Sequence, residues 1–150
     1  MTKLKANYLS LTGYRLPTEA EMEYATRAGA MTSRFYGETE ELLPKYAWYR
    51  KNSKEKDWPG GSLKPNDLGL FDVYGYTWCQ EEYSFPSIFM REGEIVEDRE
   101  YRLVIVDTLE RVMRGGDFRS PASSIRSAYR GPLPPTLPIG GVRPSRTFAP

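Results

Sequence analysis

The chemistry open to this chain is bounded first by what it lacks. No histidine occurs in its 150 residues, which removes imidazole acid–base work, Ser-His-Asp nucleophile activation and metal sites built on imidazole. Cysteine occurs once, at Cys79, so no intrachain disulfide can form and a disulfide-stapled secreted scaffold is excluded. No cationic side chain or helix start adjoins Cys79, so it reads as a small core residue rather than a nucleophile. Glu19, Glu21 and Glu23 are spaced closely enough for acid–base work. They fall at the start of an expected helix, however, where negative charge is favoured without any substrate. Trp48 and Trp58 either stack on a ligand or act as core pegs, since each ring removes a large apolar area from water.

What remains is recognition, and the residues suited to it lie in the last forty positions. Arg111-Val-Met-Arg-Gly-Gly-Asp-Phe118, Ser124-Ile-Arg-Ser-Ala-Tyr-Arg130 and Gly140-Gly-Val-Arg-Pro-Ser-Arg-Thr-Phe148 read as frame: aromatic, β-branched and arginine residues around turn-permitting glycines. Between them, Asp117, Arg119, Ser120, Pro121 and Ser124 form one candidate ligand-binding set. A second set is Gly131, Pro132, Leu133, Pro134, Leu137, Pro138 and Ile139. Four prolines between Gly131 and Ile139 rule out an ordinary helix or a central strand. Irregular exposed loops on a fixed frame are the layout of a binding surface. Apolar anchors such as Leu133, Leu137 and Ile139 beside Asp117 and Arg119 suit a protein or other macromolecular ligand. Arg114, Arg126, Arg130 and Arg143 are assigned to structure, as interior or half-buried hydrogen-bonding posts.

Several elements must position these segments. Leu4, Tyr8 and Leu11 have helical spacing, which predicts a short helix over Thr2–Leu11 ending near Gly13. Thr18-Glu-Ala-Glu21 has the form of a capping box, opening a helix with Met22, Ala25 and Ala28 inward and a stop at Gly29. Residues 31–65 are irregular, with a one-turn helix expected over Glu38–Leu43. Asn66-Asp67 is a turn, with Leu68, Leu70 and Val73 supplying core. Thr77-Trp-Cys79, Leu103–Val106 and Glu110–Arg114 read as strands, with residues 83–102 a polar, exposed excursion. The whole is expected to be one domain over residues 1–150, large enough for a core without staples.

Thirteen glycines, twelve prolines and 13% aromatic residues favour a loop-rich architecture over a helix bundle. A formal net charge of +1 gives no reason to expect nucleic acid or an anionic membrane. No run approaches a membrane span, and the N-terminus lacks the apolar core of a signal peptide. A cytoplasmic protein is the default expectation, with export by another route or association with a virion left open.

Three blocks, in order, resemble the formylglycine-generating-enzyme, or sulfatase-modifying-factor, domain family. They are Gly13-Tyr-Arg-Leu-Pro-Thr-Glu-Ala-Glu-Met-Glu-Tyr-Ala25, Gly61-Ser-Leu-Lys-Pro-Asn-Asp-Leu-Gly-Leu-Phe-Asp-Val-Tyr-Gly75, and the block from Arg111 through Ser127-Ala-Tyr-Arg130 to Gly141-Val-Arg143. The resemblance implies an α+β, C-type-lectin-like fold, loop-rich, with small antiparallel sheets and two short helices. Catalytic members hold copper with a pair of cysteines near the C-terminus, and the stretch from Arg111 to Pro150 contains none. Related sulfoxide synthases use histidine-bound iron, for which this chain has no ligand. Gly75-Tyr-Thr-Trp-Cys79 stands where the family commonly shows Gly-Asn-Val-Trp-Glu-Trp, which also alters the surroundings of any calcium site there.

The chain is most similar to the variable proteins of diversity-generating retroelements, in which a lectin-like frame displays a C-terminal segment of rewritten codons, often asparagine. This chain has three asparagines, Asn7, Asn52 and Asn66, and none in the last forty residues. Frame positions such as Phe118, Ile125, Ala128 and Tyr129 keep the family pattern while the candidate positions depart from it. The expectation is therefore a non-catalytic ligand-binding protein, with no catalytic residue, metal or cofactor, displaying a diversified surface over residues 117–139. The alternatives are a generic non-catalytic module of the same family, or a formylglycine-generating-type oxidase.

Overall fold

A computed structural model describes residues 14–83, 109–137 and 139–146. The helix expected over Thr2–Leu11, the strand expected over Leu103–Val106, nearly all of the excursion after Tyr83, and candidate residue Pro138 lie outside the described residues.

Chain order gives β1 (Tyr14–Arg15), α1 (Glu19–Arg27), β2 (Thr77–Glu82), β3 (Arg111–Arg114), β4 (Arg130–Leu133) and β5 (Ser145–Arg146). Short 3-10 turns occupy Leu43–Lys45 and Ala122–Ser124. The strands make two antiparallel sheets, a three-stranded one in the order β2-β3-β4 and a two-stranded β1-β5 pair that brings the two ends of the described chain together. These small sheets, one α-helix and long irregular connections make an α+β, C-type-lectin-like architecture.

α1 begins where the sequence says it should. The Thr18 side chain accepts from the Glu21 amide, and the Glu21 carboxylate accepts from the Thr18 amide, closing the capping box. The helix ends as Ala28 turns left-handed and donates its N–H to the Tyr24 carbonyl. Met22 faces Cys79 and Val112 of the sheet, forming one small core.

A larger core forms around Phe35, Leu43, Tyr49, Val73, Tyr74 and Ile125. Its rings pack edge-on and stacked: Phe35 lies 4.9 Å from Tyr46 and 5.6 Å from Tyr74. Leu68, expected in the core, is exposed because Asn66 folds the chain back on itself there. The Asn66 amide oxygen accepts from the N–H groups of Leu68 and Leu70 while its nitrogen donates to the Ala25 carbonyl, turning Leu68 outward.

Arginines tie the helix and loops to the sheet. Arg114, 2% exposed, donates to Glu19 at 2.9 Å, to Glu23 at 2.5 Å and to the Ser127 carbonyl at 2.7 Å. Arg130 reaches the same Glu19 from β4 at 2.6 and 2.9 Å. Glu19 and Glu23 thus serve as the acidic half of an ion-pair network between α1 and the sheet, while Glu21 pairs with Arg15. Arg34, unremarked in the sequence, is buried and donates to the carbonyls of Glu38, Ile125 and Ala122. Arg126 departs from its expected interior role: it is exposed, because the turn between Ser124 and Ser127 directs Ile125 and Ser127 inward instead.

Candidate functional site

The candidate residues divide between two places. Asp117 and Arg119 sit in a turn that leaves β3 through Gly115 and Gly116. Gly115 has φ +80, and a Cβ there would lie 2.7 Å from the Gly75 carbonyl oxygen, so the close crossing of the two backbones requires glycine. The turn is self-tied: the Ser120 hydroxyl accepts from the Asp117 amide at 3.0 Å and donates to the Asp117 carboxylate at 2.8 Å. The same carboxylate oxygen accepts from the Arg119 amide at 3.0 Å. Ser120 is 8% exposed, so its side chain holds the turn rather than facing outward. Pro121 is exposed and Ser124 half-buried, at either end of the short turn that buries Ala122.

The second set was expected to be loop throughout, but Arg130–Leu133 is a strand. It pairs with β3, with Pro132 opposite Val112 and Leu133 opposite Arg111. Proline is tolerated because β4 is the sheet edge, where the missing N–H removes no central ladder bond. Leu133 is therefore a half-buried sheet residue, as is Gly131. Pro134 follows, half-buried, and its carbonyl accepts from the Leu137 amide in a turn.

The loop then lands on β2. The Trp78 indole donates to the Ile139 carbonyl at 3.1 Å, and Gly141 exchanges backbone bonds with Trp78 and Tyr76 at 3.2 and 2.6 Å. Both ends of the 134–139 loop are fixed to the sheet, and Leu137 and Ile139 stand 44% and 46% exposed between them.

Asp117, Arg119 and Ile139 meet on one groove of about 640 Å³, within the size range of ligand pockets. Its opposite wall holds Trp48 and Trp58, whose rings stack at 4.7 Å. Gly131–Leu133 and Leu137 do not line it. The tryptophan wall is bonded to the C-terminal turn: the Ser53 hydroxyl donates to the Phe118 carbonyl at 2.7 Å, the Arg50 side chain to the Arg119 carbonyl at 2.9 Å, and the Arg50 amide to the Ser120 carbonyl at 3.0 Å. The half of the groove drawn from residues 46–60 was foreshadowed in the sequence by the two tryptophans and by nothing else.

A smaller cavity, about 210 Å³, lies by Leu16, Trp78, Gln80 and Pro135. Cys79 borders it but is fully buried, and burial pushes its thiol well up from the ordinary value.

A C-type-lectin-like domain with an irregular C-terminal face is the class these features define. The chain matches the sulfatase-modifying factor enzyme 1-like domain over residues 3–142 and belongs to that family. Among solved structures it is similar to Treponema denticola variable protein 1, at 30% identity and TM-score 0.71, covering 87% of this chain and 45% of that one. Among curated proteins it is similar to chaperone protein LppX of Paenibacillus barcinonensis, 37% identical over 94 residues, 50% of this chain and 34% of that protein. It is also similar to the formylglycine-generating enzyme of Mycobacterium tuberculosis, 34% identical over 82 residues, 47% of this chain and 27% of that enzyme. The chain thus spans about a third or less of these curated relatives.

The residues present do not fit the family's copper centre. Two thiolates are needed, and the one cysteine is in the core with its sulfur against the Thr77 carbonyl. Among the described residues, no three His, Cys, Asp or Glu side chains gather to hold a metal ion. None of the helices described is long and apolar enough to cross a membrane.

Proposed function

We propose that this chain is a non-catalytic ligand-binding protein that displays a diversified C-terminal surface to a protein partner. The observation that carries the reading is the alternation of exposure within one segment. Arg119, Pro121, Pro132, Leu137 and Ile139 are exposed, while Arg114 and Gly116 before them and Ile125 and Ser127 among them are buried. Frame and face are interleaved in sequence and separated in space, so one can change without the other. Short, proline-rich loops fixed at both ends lose little entropy on binding, so preorganisation supports affinity. The likeness to a variable protein and the lack of a second thiolate both favour display over the family's oxidase chemistry.

The test is sequencing of the coding segment across a population of the source cells or virions, with the adjacent DNA. Substitutions concentrated at the exposed codons of 117–139, beside a reverse transcriptase gene and a near-copy of the segment, are expected. Changes spread evenly along the gene would leave a fixed-ligand module instead. For the oxidase alternative, oxygen uptake with copper and a sulfatase-type cysteine peptide is the measure, and none is expected.

A further inference from the structure

We infer that the groove between the tryptophan pair and the Asp117 turn receives a cationic side chain, arginine or lysine, of a protein partner. This deepens the display reading and rests on it. Trp48 and Trp58 both line the groove, yet neither has an indole N–H to offer a ligand. Trp48 Nε1 donates to the Ser62 hydroxyl at 3.3 Å and Trp58 Nε1 to the Ser53 carbonyl at 2.7 Å. With the N–H groups committed and the inner faces stacked on each other, what the pair offers a ligand is the uncovered ring surface, whose π face attracts cations.

The charges around it point the same way. Carboxylates Asp57, Asp72 and Asp117 line the groove against guanidiniums Arg119 and Arg143. Both guanidiniums are held within the chain by neutral partners, Arg119 over the Phe118 ring at 4.9 Å and Arg143 through its bond to the Phe71 carbonyl, and keep their charge, so the three carboxylates exceed them by one. Asp72 is committed too, accepting the Gly61 amide at 2.7 Å and so bracing the loop that carries Trp58. Asp57, next to Trp58, makes no hydrogen bond or ion pair among the described residues, and one oxygen of Asp117 faces no donor there. The backbone leading to this rim passes through Lys54 and Glu55, both left-handed at φ 57 and 56. That conformation is uncommon for residues other than glycine. A free carboxylate beside an aromatic stack, on a wall bonded to the variable turn, is a constant anchor for charge. The changeable residues opposite would then select its neighbours.

Indole N–H resonances of the whole chain, followed by NMR during titration with N-acetyl-arginine amide, test this. N-acetyl-citrulline amide serves as the neutral isostere and a methyl glycoside as the saccharide control. Saturable shifts at Trp58 with the arginine probe are expected, several-fold weaker with citrulline and about three-fold weaker in Asp57→Asn, as expected for an exposed cation–π and charge contact. Asp57 makes no internal bond, so that variant keeps its fold, and unchanged dispersion of the remaining amides confirms it. Equal shifts from citrulline, preference for the glycoside, or no shift at all would overturn the inference. Failure here with population variation still confined to 117–139 removes only the cation site. Arginine binding without such variation keeps the groove and removes the display reading.

Discussion

Arg114 shows how much a single side chain does in this domain. It is a cation buried beneath α1 whose bonds reach two carboxylates and a carbonyl. Removing one partner of a buried charged network strands the others, so Arg114→Ala should destabilise the fold by about 3–5 kcal/mol, measured by denaturant unfolding. Glu21, by contrast, sits near the surface, where two 2.6 Å bonds from Arg15 hold its carboxyl below the ordinary carboxylate range. A depressed carboxylate contributes stability that is complete above its unfolded-state value and is lost as pH falls through the folded value. Glu21→Gln should therefore flatten the acid side of the stability–pH profile, lowering stability at neutral and alkaline pH, where the ion pair is complete, and converging on the parent in strong acid. Cys79 gives a third check: buried and held protonated, it should resist iodoacetamide in the native protein and react only as the chain unfolds. The capping box was legible in the sequence because its partners are three residues apart. The glutamate–arginine network was not, because Arg114 and Glu19 are brought together only by the packing of α1 on β3.

At the scale of elements, β4 and the loop after it explain why one stretch holds both frame and face. Proline content correctly barred a central strand but said nothing against an edge, and Arg130–Leu133 takes that edge. Leu133→Ala should accordingly cost measurable stability, whereas Leu137→Ala with Ile139→Ala should stay within about 0.5 kcal/mol of the parent, as exposed loop changes do. Gly140 marks the boundary between the two regimes. Its φ is +94, and an added Cβ would meet the Met113 side chain at 2.4 Å and the Trp78 indole at 3.1 Å. Gly140→Ala should lower the unfolding midpoint more than the double loop substitution. Turn chemistry, helix caps and strand alternation were readable because each depends on neighbours in sequence. The bonds joining residues 50–58 to 117–120 were not, since backbone carbonyls accept them and carbonyls carry no residue signature.

Across the whole molecule, most of the fold was legible through ordered blocks. α1, β2 and β3 formed where motif and alternation placed them, and Phe35, Tyr49 and Tyr74 became core with Tyr36 and Tyr46 packed against them. The site was legible on one side only. Asp117, Arg119 and Ile139 reach the groove, while its tryptophan wall comes from a segment whose irregular sequence gave no sign of where it would pack. The resulting domain keeps Arg34, Arg114 and the crossing glycines Gly115 and Gly116 in the interior, leaving the intervening turns to the surface.

The most direct measurement of that separation is saturation substitution of residues 111–143 with protease resistance as the folding readout. Positions 119, 121, 137 and 139 should accept nearly every residue, and Arg114, Gly115, Ile125 and Gly140 almost none. Equal intolerance across both groups would contradict a replaceable face on a fixed frame.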